Sequence, residues 1–177
     1  MMDKSELRKE IRNRKRQYTK EDLQRISLPV INRLRNHPKL KAAHTVMLYH
    51  SLPDEVDTHN FVDEMVAAGK RVLLPVVISE TEMEIRHYTG PEDMAESSFH
   101  ILEPVGELFT DYEQIEFIAV PGMSFDSHCN RLGRGKGYYD RFLKKVPEAY
   151  KLGICFDFQK LNEIPTGKYD WKVDEVL

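Results

Sequence analysis

Cysteine is nearly absent: Cys129 and Cys155 are the two in 177 residues. They have no metal-ligand spacing, so a disulfide framework and a zinc ribbon are both poor readings, and two free thiols in a reducing compartment are expected. The seven histidines are scattered, with no H-E-x-x-H or His-Cys cluster to hold zinc. No apolar run approaches the roughly 20 residues needed to span a bilayer. The opening MMDKSELRKEIRNRKRQ lacks the apolar stretch of a secretory leader, and its acidic residues and helical pattern do not suit a transit peptide, so a cytoplasmic location is expected. A surplus of positive charge is missing too: the formal net charge of −3 argues against a dedicated nucleic-acid binder. Repeats, low-complexity tracts and linkers are also lacking, so residues 1–177 are expected to form one domain, acting as a monomer on small molecules.

What is present is a globular composition, 41% hydrophobic and 31% charged, enough to build a core without staples. The chain opens on a helix expected to be capped by Asp3, with Glu6 closing a capping box. Lys4, Arg8, Arg12 and Lys15 recur at helical spacing and are expected to share a basic face, which calls for an anionic partner. Thr19 opens a second helix with a broader stripe from Leu23, Ile26, Val30, Ile31 and Leu34, where Pro29 predicts a kink or a new start. Strand and helix then alternate: a strand at Thr45–Tyr49, a helix over 58–68 ended by Gly69, strands at Arg71–Val77 and Met83–Tyr88, and weak strand-like pieces within 89–114. A buried strand at Ile115–Val120, a helix at Tyr138–Lys145 and a strand at Lys151–Phe156 complete the pattern. This order predicts a three-layer α/β/α domain around an open, mostly parallel sheet. Ligands of such sheets sit beyond the carboxyl ends of the strands, which directs attention to the loops after Tyr49 and Val120.

The second of those loops carries the chemistry. Arg131-Leu132-Gly133-Arg134-Gly135-Lys136-Gly137-Tyr138-Tyr139-Asp140 follows a buried strand and runs into a helix. Alternate glycines permit positive φ and close backbone approach to a ligand. Successive N–H groups can form an anion nest, reinforced by the helix N-terminus. Arg131, Arg134 and Lys136 add cations suited to phosphate. Asp140, in the first helical turn, is placed to hold magnesium on the same phosphates, or else only to complement the helix dipole. The order of residues is neither a P-loop nor a dinucleotide fingerprint. A basic glycine loop with Tyr138 and Tyr139 could also stack RNA bases, but its place between strand and helix favours a small phosphate ligand.

The run RLGRGKGYYDRFL, with PGMSFD upstream, closely resembles the signature of the 5-formyltetrahydrofolate cyclo-ligases. KSELRKEIR is similar to that family's opening helix, LYHSLPDEVDT to its substrate loop, RVLLP to the following strand and YDWKVDEVL to its closing segment; residues 79–114 match poorly. The resemblance implies an ATP-dependent ligase that closes 5-formyltetrahydrofolate into 5,10-methenyltetrahydrofolate. It implies ATP contacts from Lys4, Arg8 and the run Arg131 to Tyr139, with Arg134, Lys136 and Tyr138 nearest the chemistry. It implies folate contacts from His50, Glu55 and Arg134 to Tyr138, and magnesium on Asp140 and Asp170. Of the tyrosine pair, Tyr138 is expected to face substrate and Tyr139 the core. Arg141 is expected on the surface, and Trp171 is expected to pack the tail onto the sheet.

Overall fold

A computed structural model describes residues 1–97 and 100–177. The first helix, α1 (Lys4–Lys15), begins at Asp3, which accepts the Glu6 N–H while the Glu6 carboxylate accepts the Asp3 N–H. Each bond satisfies a donor that the helix geometry leaves unpaired. Thr19 and Asp22 repeat the device at the start of α2 (Lys20–Arg35). That helix runs through Pro29 as one element. The expected new start is absent, because the ring removes one N–H from the ladder while Val30, Ile31 and Leu34 stay anchored in the core. A short α3 (Pro38–Ala42) leads into β1 (Thr45–Met47). The helix α4 (His59–Ala67) ends as its glycine predicts. Gly69 takes φ +86°, its N–H bonds Val66 O, and the Lys70 N–H reaches back to Met65 O, the paired bonds of a Schellman termination.

There follow β2 (Arg71–Val77), β3 (Met83–Tyr88), the short strands β4 (Met94–Glu96), β5 (Leu102–Pro104) and β6 (Leu108–Phe109), then β7 (Phe117–Pro121), β8 (Ser124–Asp126) and β9 (Arg131–Leu132). The helix α5 (Tyr138–Leu143), β10 (Tyr150–Ile154), β11 (Lys160–Leu161) and β12 (Glu175–Val176) complete the chain. The main sheet has seven strands in the order β12-β10-β7-β1-β2-β3-β6. The block from β12 to β2 is parallel, while β3 and β6 pair antiparallel at one edge.

Alternation along the strands divides the core. Val46, Val72, Leu74, Phe117, Ala119 and Leu152 pack with α2, α3 and α4. Met47, Leu73, Ile118 and Val120 point the other way, onto Phe142, Leu143 and Val146. Residues of opposite parity thus feed opposite faces, which is the three-layer arrangement. A third cluster joins Leu7 and Ile11 of α1 to Met123, Leu132 and Ile164. It seats the first helix beside a small second sheet, β11-β8-β9. That sheet corrects the sequence reading, in which residues 124–132 were loop. Asp126 makes the turn by accepting the N–H groups of His128, Asn130 and Ile164, and Cys129 takes φ +64° within it.

Candidate active site

Strand β1 lies at the centre of the sheet, with β2 on one side and β7 on the other. The chain passes from β1 to β2 through α4 on one face, and from β7 to β10 through α5 on the other. This is a topological switch point, and the carboxyl ends of β1 and β7 part there. A cleft of about 990 Å³ opens at that place, its floor formed by Tyr49, His50, Pro121 and Gly122. Every residue assigned above to ATP, folate or metal lines it.

One wall is the glycine run. Gly135 takes φ +113° and Gly137 φ +72°, conformations that L side chains rarely adopt. Arg131 is buried beneath the loop: its Nε donates to Pro121 O at 2.7 Å, and its guanidinium lies 5.0 Å from the Tyr139 ring centre. Burial draws Arg131 below its ordinary value, opposed by the charge of Asp140. The Leu132 side chain belongs to the cluster with Leu7 and Ile11. Arg8 Nε donates to Gly133 O at 2.8 Å, so the first helix braces the loop directly. Of the basic residues expected to share a face, Lys4, Arg8 and Lys15 turn inward and Arg12 is exposed, because Leu7 and Ile11 fix which side of the helix is buried.

Tyr138 donates its hydroxyl to Ser79 O at 2.8 Å, while Tyr139 packs on the second core cluster; both also line the cleft. Arg141 is exposed but not idle. Its Nε donates to Thr81 O at 2.6 Å and its Nη2 to Lys136 O at 2.6 Å, tying the glycine run to the turn between β2 and β3. Trp171 packs against the second cluster, as expected for the tail.

The facing wall is the loop after Tyr49. The Glu55 side chain is 11% exposed, with Oε1 accepting the Leu52 N–H at 2.8 Å. Burial raises its pKa, against the lowering effect of that hydrogen bond and of Arg134. Burial, followed by the Glu55 charge, holds the phenols of Tyr49 and Tyr139 above their ordinary value. His50 stacks on His59 with ring centres 3.7 Å apart. Burial, then the His59 charge, lowers its pKa to about 4, so it meets the cleft as a neutral imidazole at pH 7. Arg134 bridges the two walls: its Nη2 donates to Asp54 Oδ1 at 2.8 Å and lies 3.6 Å from Glu55 Oε2.

Asp140 and Asp170 both line the cleft, and Asp140 Oδ1 accepts the N–H of Trp171 at 3.0 Å, so the first turn of α5 and the tail lie together. Asp170 is paired with Lys4 and accepts the Gly167 N–H at 2.7 Å. Among the described residues no three His, Cys, Asp or Glu side chains form a metal cage. Two carboxylates beside the glycine run would suit a magnesium ion that draws its other ligands from phosphate oxygens and water, rather than an all-protein site.

The sequence reading missed two features. Asp54 and Lys15 were not singled out as site residues, though they pair at 3.2 Å beneath Arg134; the signal was Lys15's place on the inward stripe with Leu7 and Ile11. The apolar wing of the cleft, from Pro75, Val77, Met83, Ile101 and Leu102, draws mostly on segments beyond RVLLP that matched no motif. Among the described residues no helix is long and apolar enough to cross a membrane.

Comparison with known proteins agrees with this geometry. The chain is 31% identical to the mouse 5-formyltetrahydrofolate cyclo-ligase over 184 residues, covering 97% of this chain and 91% of that protein. It is 29% identical to the Escherichia coli K12 5-formyltetrahydrofolate cyclo-ligase over 174 residues, covering 94% and 95%. Its fold is similar to the NMR structure of 5,10-methenyltetrahydrofolate synthetase from Aquifex aeolicus, with TM-score 0.85, 37% identity and coverage of 99% and 89%. The synthetase of the same name from Mycoplasma pneumoniae gives TM-score 0.80 at 27% identity, covering 99% and 98%. The model of the 5-formyltetrahydrofolate cyclo-ligase family matches residues 1–177, and with the glycine run, the opening helix and the switch-point cleft all in place, the chain belongs to that family.

Proposed function

We propose that this protein closes 5-formyltetrahydrofolate into 5,10-methenyltetrahydrofolate, consuming ATP and releasing ADP and phosphate. The observation that carries the reading is Arg134, which joins the phosphate-suited glycine run to the loop of Glu55 across one cleft. That geometry suits a reaction in which a polyphosphate and a second substrate must meet.

A formamide carbon is a poor electrophile, and its oxygen is a poor leaving group. Transfer of the γ-phosphoryl to the formyl oxygen breaks the bond to the β-phosphate, frees ADP and leaves an imidate-like phosphate. N10 of the folate then attacks the formyl carbon and loses its proton. The carbon–oxygen bond breaks, phosphate departs and the ring is closed. Such chemistry needs alignment and charge neutralisation more than a protein nucleophile. Arg134 and Lys136, with the backbone N–H groups of 133–137, would hold the γ-phosphoryl and the oxygen it joins. Lys4, Arg8 and Arg131 would hold the rest of the polyphosphate. Tyr138 borders the transfer, and Tyr139 supports Arg131 from the core side. Magnesium held by Asp140 and Asp170 would supply charge neutralisation at the phosphates. Glu55 and the neutral His50 would contact the reduced pterin, the carboxylate accepting its N–H groups.

The test is formation of the methenyl product, followed by its absorbance, with ATP, magnesium and 5-formyltetrahydrofolate. An ATP-dependent signal is expected. An ATP-independent or absent signal from folded protein overturns the reading.

A further inference from the structure

Lys15 has no place in the chemistry above, yet it is the most deeply buried cation of α1, its side chain 5% exposed. An ammonium is left in so dry a place only with a partner. Its Nζ lies 3.2 Å from Asp54 Oδ2, and the other oxygen of the same carboxylate accepts from Arg134 Nη2 at 2.8 Å. One carboxylate is thus shared by two cations from different parts of the chain. The Asp54 carboxylate is correspondingly held below its ordinary pKa: burial opposes this, and Arg134 and Lys15 together outweigh it.

The arrangement answers two physical difficulties. Arg134 rises from a glycine-bordered loop with its side chain 45% exposed, so unrestrained it would sample many rotamers. Asp54 fixes the guanidinium within 3.6 Å of Glu55. A lone carboxylate would also cancel the charge that a phosphate clamp needs. With Lys15 against the same carboxylate, the Lys15–Asp54–Arg134 trio carries a net charge of +1, which offsets the Glu55 carboxylate 3.6 Å from Arg134 Nη2. We propose that Asp54 and Lys15 are a positioning pair that holds Arg134 in its working orientation and preserves its positive field. Neither touches substrate; both act through Arg134. The inference rests on Arg134 being the phosphate clamp.

A double-mutant cycle tests it on the full chain, using Asp54→Ala, Lys15→Met, Arg134→Ala and the two doubles with Arg134→Ala. The measurements are kcat, the KM for each substrate, and Tm. Asp54→Ala and Lys15→Met should each lower kcat at least about fivefold, because the guanidinium is freed in one and over-neutralised in the other. In the Arg134→Ala background each should change kcat by less than about twofold, since residues acting as a unit are non-additive. Losses that multiply in the doubles, or wild-type kcat in Asp54→Ala, overturn the positioning role. If Lys15→Met or Asp54→Ala does not fold, Asp54→Asn, which keeps volume and one acceptor, enters the same cycle with the same expectation. An Arg134→Ala enzyme with wild-type kcat is a different failure: it removes the clamp reading itself, and the positioning pair with it.

Discussion

Replacement of Arg134 by alanine separates folding from chemistry. The side chain is 45% exposed and its Asp54 partner 37% exposed. Such a pair contributes about 0–1 kcal/mol to stability. For a domain of this size that shifts Tm by no more than about 4 °C. Turnover should respond on another scale. A donor aimed at charge that develops in a transition state is worth about 10²–10³ in kcat, or roughly 2.7–4 kcal/mol. Arg134 meets that description because its fork lies between the glycine run and Glu55, held by Asp54. With both substrates saturating, product absorbance should show kcat lowered at least about tenfold and on the order of 10²-fold, with Tm almost unmoved. Arg134→Lys should recover part of the loss, since it keeps the charge but not the planar fork. A rise in the ATP KM with kcat intact would mean that Arg134 anchors the ground state only. A folded variant with wild-type kcat and KM would refute the clamp altogether.

Four other outcomes follow from the same geometry. Glu55→Gln should raise the folate KM more than the ATP KM; equal rises would contradict the division of the cleft. Because burial raises the Glu55 pKa, its contribution to stability is present below the unfolded value and is lost as pH rises through the folded one. Glu55→Gln should therefore have a higher Tm than wild type at about pH 7, with the gap closing near about pH 4. His50, held at about 4 against an ordinary 6.5, carries stability that is complete above the ordinary value and lost as pH falls through that window toward 4; an NMR titration midpoint above about 6 would remove this assignment. Gly135→Ala has room for its Cβ, 3.5 Å from Arg8 Cζ, but not the backbone, at φ +113°. Strain of about 1–3 kcal/mol should appear as a raised ATP KM, and an unchanged KM would show that the loop need not hold that conformation.

The sequence made the fold legible wherever an element is long and patterned. Leu23, Val30, Ile31 and Leu34 mark α2, Arg71–Val77 marks β2, and Gly69 marks the end of α4. In each case local pattern and tertiary burial agree. The strands that escaped notice, β8, β9 and β11, are two or three residues long. Period-two alternation cannot declare itself over so short a span. β8 and β9 pair locally, Ser124 opposite Leu132, but β11 joins them from a distance: Asp126 accepts from Ile164, 38 residues away, and Gln159 donates to Gly122 and Met123.

The same division holds within the site. The glycine run was legible because its residue types and spacing are themselves the device. Glycines at 133, 135 and 137 set the backbone, and the arginines and lysine between them supply charge without needing a remote partner to explain their presence. The Lys15–Asp54–Arg134 chain was legible only at one end: Lys15 falls on the stripe of Leu7 and Ile11 where Lys9 does not, but nothing local distinguishes Asp54 from Asp57. What distinguishes Lys15 is the packing of Leu7 and Ile11 against Met123 and Ile164, which rotates α1 until its last turn lies under the 51–57 loop. The basic face of this helix thereby delivers one cation to the glycine run at Gly133, one to Asp170 and one to Asp54. The first helix is therefore part of the site's electrostatics rather than a cover over it.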